Sequence, residues 1–128
     1  FIAAGNVDKV KSAPCTVIIA WDTLFHEKMP QLFPSRDMSA TFAGKDDLIA
    51  EVGFRSSTLQ GAYFMMAARA LGFDCGPMSG FDLAGVDREL LAERKWKANF
   101  LCNIGHGTPG GLFPRNPRLD YEQACVEL

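Results

Sequence analysis

Ser79, Asp87 and His106 follow one another in the order of a hydrolase triad. A serine needs a neighbouring base to become a nucleophile, and that base needs a group to orient it. The spacing around Ser79 does not suit this use. The sharp elbow that exposes a nucleophile is written G-x-S-x-G and follows a strand. Here the stretch is GPMSGFD, with Gly76 three residues before Ser79 and Gly80 one after. The residues before it read as a helix closed by Gly72. The same stretch has a second use, as backbone. Pro77 removes one amide donor and fixes its own φ, and two glycines widen the permitted conformations. The amides of Ser79 and Gly80 can then be aimed at an acceptor, where they stabilise negative charge without a proton. A tight turn between two helices explains the pattern equally well.

Other residues invite chemistry more weakly. His106, in GHGTPGG, suits a base or a ligand, but a loop histidine at a strand end needs no such role. His26 is distant from it, and no carboxylate pattern accompanies either, so no metal site is expected. The glycines of GHGTPGG do not spell G-x-G-x-x-G ahead of a helix, which argues against a Rossmann dinucleotide site. Arg115 and Arg118, in PRNPR, sit on a proline-stiffened loop. Two guanidinium groups held there suit a phosphate or a carboxylate, or are simply solvated. Arg55, Ser56 and Ser57 form a polar patch on an otherwise apolar helix, facing a cofactor, a second subunit or water.

The elements that must position these residues are few. Val7–Ser12 reads as a helix end before Pro14. CTVIIAWD reads as a strand covered on both faces, because its β-branched residues are continuous. Thr23–Met29 suits one or two helical turns, and MPQLFPSRDMSATFAG a loop with short helical pieces. The strongest element spans about Lys45 to Leu71, with Asp46 and Asp47 in the first turn and Gly72 as cap. Leu48, Val52, Leu59, Tyr63, Met66 and Ala70 are expected on its packed side. Beyond Gly61 it is apolar all round, as in a core or interface helix. GPMSGFD is expected to be loop. Asp82 caps a helix to about Glu93, with Val86, Leu90 and Leu91 inward. KANFLCNIG is a second strand whose Phe100, Cys102 and Ile104 share a face. LDYEQACVEL ends in a short helix capped near Asp120.

The bulk properties exclude more than they assert. The chain has 128 residues, enough for one domain, 1–128. It is 48% hydrophobic, which sets it apart from disordered chains. A net charge of −2 gives no general attraction to nucleic acid or to anionic membranes. No apolar run is long enough to span a bilayer. The four cysteines form no C-x-x-C pair, and three lie in apolar stretches. They read as free thiols of a reducing, cytoplasmic compartment. Residue 1 is Phe, and the native chain is expected to extend further upstream. The architecture that fits is an α/β or α+β layered domain.

Taken together and in order, AWDTLFHEKMPQLFP, FRSSTLQGAYFMMAARALGFDCGPMSGFD, NIGHG and RNPRLDYEQAC resemble the nitroreductase family. The nearest branch is that of malonic semialdehyde reductases (3-hydroxypropanoate dehydrogenases) of pyrimidine degradation. The resemblance covers almost the whole chain and about the C-terminal two thirds of a typical member. It implies an α+β, three-layer fold with a central antiparallel sheet flanked by helices. It also implies a homodimer with FMN at the subunit interface, reduced by NAD(P)H. Hydride then passes through flavin N5 to a small aldehyde, quinone or nitro compound in a ping-pong cycle. No side-chain nucleophile is implied. Pro77 and Met78 would line the flavin ring, with Ser79 and Gly80 supplying backbone contacts near N5. Arg115, with Arg118 in reserve, would meet the FMN phosphate. The lysine that many members place two residues before that arginine is Phe113 here. The family's first basic, serine-containing FMN motif belongs to its N-terminal third, upstream of Phe1. Two alternatives stand beside this reading: a flavin-binding or dimerisation module without turnover, and the serine hydrolase.

Overall fold

The computed structural model describes residues 1–128. A 3-10 turn, Ala4–Asn6, leads into helix α1, Val7–Ser12, which stops where Pro14 restricts the residue before it. Strand β1 is Cys15–Asp22, the expected β-branched run. The next segment is built of short pieces: a 3-10 turn at Phe25–Lys28, helix α2 at Met29–Leu32 with Pro30 in its first turn, and helix α3 at Ser39–Phe42. Helix α4, Asp46–Ala70, has the two acids in its first turn. It ends where Gly72 takes φ +87°, a conformation that costs other residues.

Residues 74–78 depart from expectation. Asp74–Met78 is strand β2, not loop. It pairs antiparallel with strand β3, Trp96–Gly105, and the sheet order β1-β3-β2 leaves it on an edge. Pro77 is tolerated because an edge strand has one unpaired side. Only the second half of GPMSGFD, Ser79–Asp82, links elements.

The expected helix to Glu93 is also shorter. Asp82 does cap it, accepting from the Gly85 amide at 3.0 Å. Helix α5 nevertheless covers only Leu83–Val86, and a π-type turn (Asp87–Leu91) and a 3-10 turn (Ala92–Arg94) follow. Lys95, at φ 54°, reverses the chain into β3. The irregular turns leave Leu90 exposed, whereas Val86 and Leu91 are buried. After a 3-10 turn at Pro109–Gly111, helix α6, Tyr121–Ala124, closes the chain behind a capping box made by Asp120 and Gln123.

The sheet lies between two layers. On one side α4 packs closely through a narrow stripe, Ile49, Gly53, Ser57, Gly61 and Ala68. A Cβ at Gly61 would stand 2.5 Å from the Phe100 ring, and one at Gly53 would overlap the edge of the Trp21 ring. The packed side is therefore small. Of the residues expected there, Leu48 and Val52 are half-buried, but Leu59, Tyr63, Met66 and Ala70 face outward. Tyr63 is 75% exposed and Met66 70%. On the other side Val86, Leu91 and Ala98 form a cluster with Ile18, Ala20 and Phe81.

The β1–β3 register shifts at Ile19/Ala20, so Asn99 has no residue opposite. That extra residue reaches α4. Its Nδ2 donates to Ser57 Oγ and Thr58 Oγ1, both at 2.8 Å. The polar patch of the sequence is thus divided: Ser57 is buried under Asn99, Arg55 pairs with Glu51, and Ser56 is exposed.

Candidate functional site

The segment after β2 is built against the start of the chain. The Gly80 carbonyl accepts from the Ala3 amide at 2.9 Å and from Asn6 Nδ2 at 3.4 Å. Ile2 bridges Phe81, and the Asp82 amide donates to the Phe1 carbonyl at 2.5 Å. These bonds fix the Gly80 carbonyl and the Asp82 amide. No backbone or side-chain acceptor in the chain takes the amides of Ser79 or Gly80. Ser79 is exposed and Gly80 half-buried, so both donors are turned toward space outside the protein's own bonding.

Beside this segment runs a groove of about 540 Å³ between α1, β2 and the loop after β3. Pro77, Met78, Lys9, Asn103 and His106 are among the residues that line it. Its floor is polar and ordered. Thr16 Oγ1 donates to Asn103 Oδ1 at 2.8 Å, and Asn103 Nδ2 donates to the Lys9 carbonyl at 2.9 Å. Asn103 is the polar residue of the apolar run Phe100–Ile104, which is the signal that could have marked it.

The rim is held by Asp74. Its Oδ2 accepts from the Gly107 amide at 2.8 Å, and its Oδ1 pairs with Arg69 from the end of α4. The Gly107 amide first, and then the Arg69 guanidinium, hold the carboxyl below the usual aspartate range. His106 stacks on Phe73, ring centroids 5.3 Å apart. The loop after β3 is therefore tethered at two successive residues.

The predicted site residues separate into two groups. Pro77 and Met78 line the groove, with Ser79 and Gly80 directly following them. Arg115 and Arg118 do not line it. Both are exposed, and Arg118 Nη1 donates to the carbonyls of Asn116 and Pro117 in its own loop. The hydrolase residues are not assembled either. Asp87 accepts from the Ala98 amide at 2.7 Å, His106 stacks on Phe73, and no hydrogen bond joins either to Ser79. The structure thus does not support a Ser–Asp–His triad.

An antiparallel sheet between helical layers, with a glycine-bearing segment at its edge strand, defines an α+β domain of the nitroreductase type. The chain belongs to the nitroreductase family, whose model matches residues 2–106. It is 61% identical over 127 residues to a protein of Rhodopseudomonas palustris (strain TIE-1) named "Putative NADH dehydrogenase/NAD(P)H nitroreductase". A protein of Ralstonia nicotianae with the same description is 48% identical over 127 residues. In each case the match takes in 99% of this chain and 65% of the relative, so the chain spans just under two thirds of their length. Among solved structures, a nitroreductase family protein from Streptococcus pneumoniae superimposes with TM-score 0.82 at 17% identity, over 99% of this chain and 70% of that one. The enone reductase CLA-ER, which acts in gut-bacterial fatty acid saturation, superimposes with TM-score 0.76 at 20% identity, over 99% and 68%. At such identities the likeness is one of fold.

Proposed function

We propose that the chain is the flavin-holding part of an NAD(P)H-dependent oxidoreductase, with FMN lying against Pro77–Gly80. The observation that carries this reading is the pair of amides at Ser79 and Gly80, which have no protein acceptor although their carbonyl neighbours are fixed. A planar group laid over Pro77 and Met78 would present its ring acceptors to those donors. Bound there, FMN supplies hydride exchange at N5, from NAD(P)H to a small aldehyde, quinone or nitro compound, in a ping-pong cycle. The chain's own contribution is to hold and to polarise. The Ser79 carbonyl, which shares a peptide plane with the Gly80 amide, accepts from the Phe81 amide at 3.0 Å and so sets that amide's direction, while Ala3 and Asn6 hold the Gly80 carbonyl. Those amides favour negative charge near N5. Arg115, with Arg118 beside it, is assigned to the phosphate by the family resemblance alone.

The reading extends to a homodimer with FMN at its interface. The outer side of α4 offers Leu59, Tyr63 and Met66 in one exposed row, which a second copy would cover. Malonic semialdehyde is the narrowest substrate the resemblance offers. The fold does not choose it, since CLA-ER shares the architecture and is an enone reductase. Four free cysteines suit a reducing compartment such as the cytoplasm.

Titration of the purified chain with FMN tests the reading directly. Quenching of flavin fluorescence at one FMN per chain, followed by NAD(P)H consumption, is the expected result. A chain that quenches no FMN overturns it. The position of both arginines off the groove favours a second reading, a flavin-binding module without turnover. Stoichiometric FMN binding with no NAD(P)H oxidation would select it.

A further inference from the structure

Cys75 and Cys102 are placed to react with one another. Cys75 stands opposite Ile104 and Pro77 opposite Cys102, so the two cysteines are diagonal neighbours on the α4 side of the sheet. Cys102 is 0% exposed, whereas Cys75 is half-buried and lines the groove. Burial first, and the adjoining Cys75 thiol next, push the Cys102 thiol up to about 11. Cys15 occupies the opposite diagonal, yet it has no such influence on Cys102. Across the sheet Cys15 and Cys75 both oppose Ile104, two strand spacings or about 9–10 Å apart, too far for a bond. Cys125 is exposed in the C-terminal tail.

We propose that Cys75 and Cys102 form a reversible disulfide when the protein meets hydrogen peroxide, and that the bridge skews β2 at Pro77–Met78. Cys75, half-buried where Cys102 is sealed, is the thiol that a small oxidant meets first. Its thiol sulfur takes one peroxide oxygen as the O–O bond breaks, giving a sulfenic acid and water. The Cys102 sulfur then attacks the sulfenyl sulfur, and the departing hydroxide leaves with the thiol proton as a second water. Two thiols and one peroxide thus give one disulfide and two waters. Diagonal Cα atoms in an antiparallel pair lie about 7–8 Å apart, slightly beyond what a disulfide spans. Closure therefore needs β2 to slide along β3. An edge strand, bonded on one side only and carrying Pro77, is the part of this sheet freest to do so. The slide moves the residues immediately before Ser79 and Gly80. Its effect on FMN rests on the reading given under Proposed function; the bridge itself does not.

The test treats the folded chain with equimolar hydrogen peroxide, alkylates the remaining thiols, and maps tryptic peptides by mass spectrometry. The expected product joins the peptide carrying Cys75 to that carrying Cys102. It is lighter than their sum by two hydrogens and is reversed by dithiothreitol, with Cys15 and Cys125 alkylated. A Cys15–Cys102 link, or Cys75 oxidised alone while Cys102 remains free, overturns the proposal. Cys102→Ala should halt at a dimedone-trapped sulfenic acid on Cys75, and Cys75→Ser should give no link. FMN titration of reduced and oxidised wild-type protein is the second arm, with affinity expected to fall roughly ten-fold on oxidation. Equal affinities would leave the bridge and overturn its effect on β2. Absence of FMN binding in both forms would overturn the flavin reading while the peptide link stands.

Discussion

Asp74 joins three parts of the molecule through one carboxylate. Arg69 ends α4, Asp74 starts β2, and Gly107 opens the loop after β3. Because its pKa is lowered in the folded state, its contribution to stability is present above the unfolded aspartate range and is lost as pH falls through the folded value. The loop should therefore stay tethered at neutral pH and loosen only in acid below about pH 4. Hydrogen exchange checks this: the Gly107 amide should be protected at pH 7, and its protection relative to the intrinsic exchange rate should fall in acid. Asp74→Ala should lose the protection at every pH. A second prediction at this scale concerns Ser79 and Gly80. Ser79→Ala keeps the amide and should keep FMN affinity within about two-fold. A Cβ at Gly80 would lie 2.8 Å from Asn6 Nδ2, an atom that can swing away, so Gly80→Ala should be mild. Gly80→Val crowds the Ala3–Asn6 clamp as well and should weaken FMN roughly ten-fold or more in a fluorescence titration. Loss of turnover in Ser79→Ala with flavin still bound would refute the backbone account of this segment.

At the scale of elements, α4 is held to the sheet by the side chains it lacks. Gly53 admits the Trp21 ring and Gly61 the Phe100 ring, while Asn99 reaches across to Ser57 and Thr58. Gly53→Ala and Gly61→Ala should each destabilise the chain by about 1–3 kcal/mol, the usual cost of overpacking, outweighing the gain in helix propensity. A lower urea midpoint at unchanged slope would confirm this. The same contacts explain what could be read in advance. The limits of α4 were legible in Asp46, Asp47 and Gly72, and β1 in its β-branched run. The packed side was not, because large apolar residues mark burial somewhere without saying whether in the chain's own core. Tyr63 and Met66 drew attention outward while glycines made the contact. Strand β2 was hidden by Gly76 and Pro77, which signal a turn unless the strand is known to lie on an edge. The candidate site was legible where backbone chemistry is written in the motif, at Pro77 to Gly80. Asn103 and Asp74 were missed, since their partners come from distant parts of the chain.

For the whole molecule, the exposed row on α4 bears on assembly. If a second copy covers Leu59, Tyr63 and Met66, a charge in that row must be desolvated against apolar surface. Met66→Glu combined with Tyr63→Glu should shift sedimentation from dimer to monomer and leave circular dichroism unchanged. A monomeric wild-type chain would refute the dimer. Both arginines assigned to the phosphate lie outside residues 2–106, the part matched by the family, and their exposure is in keeping with that boundary.

The strand order carries a further consequence for biosynthesis. Thr16 and its partner Asn103 are 87 residues apart, and β3, the central strand, is the last of the three to be made. While the ribosome is still translating, TVIIAW emerges well before β3, its partner in this sheet. The sheet can close only when residues 96–105 have cleared the exit tunnel, and until then a short, β-branched, uncharged segment is open to other nascent chains. A release before Trp96 should give insoluble product, where release after Gly105 should not. Slow synthesis ahead of β3 is therefore expected to raise the demand on chaperones, a vulnerability set by the position of one strand and by none of its residues.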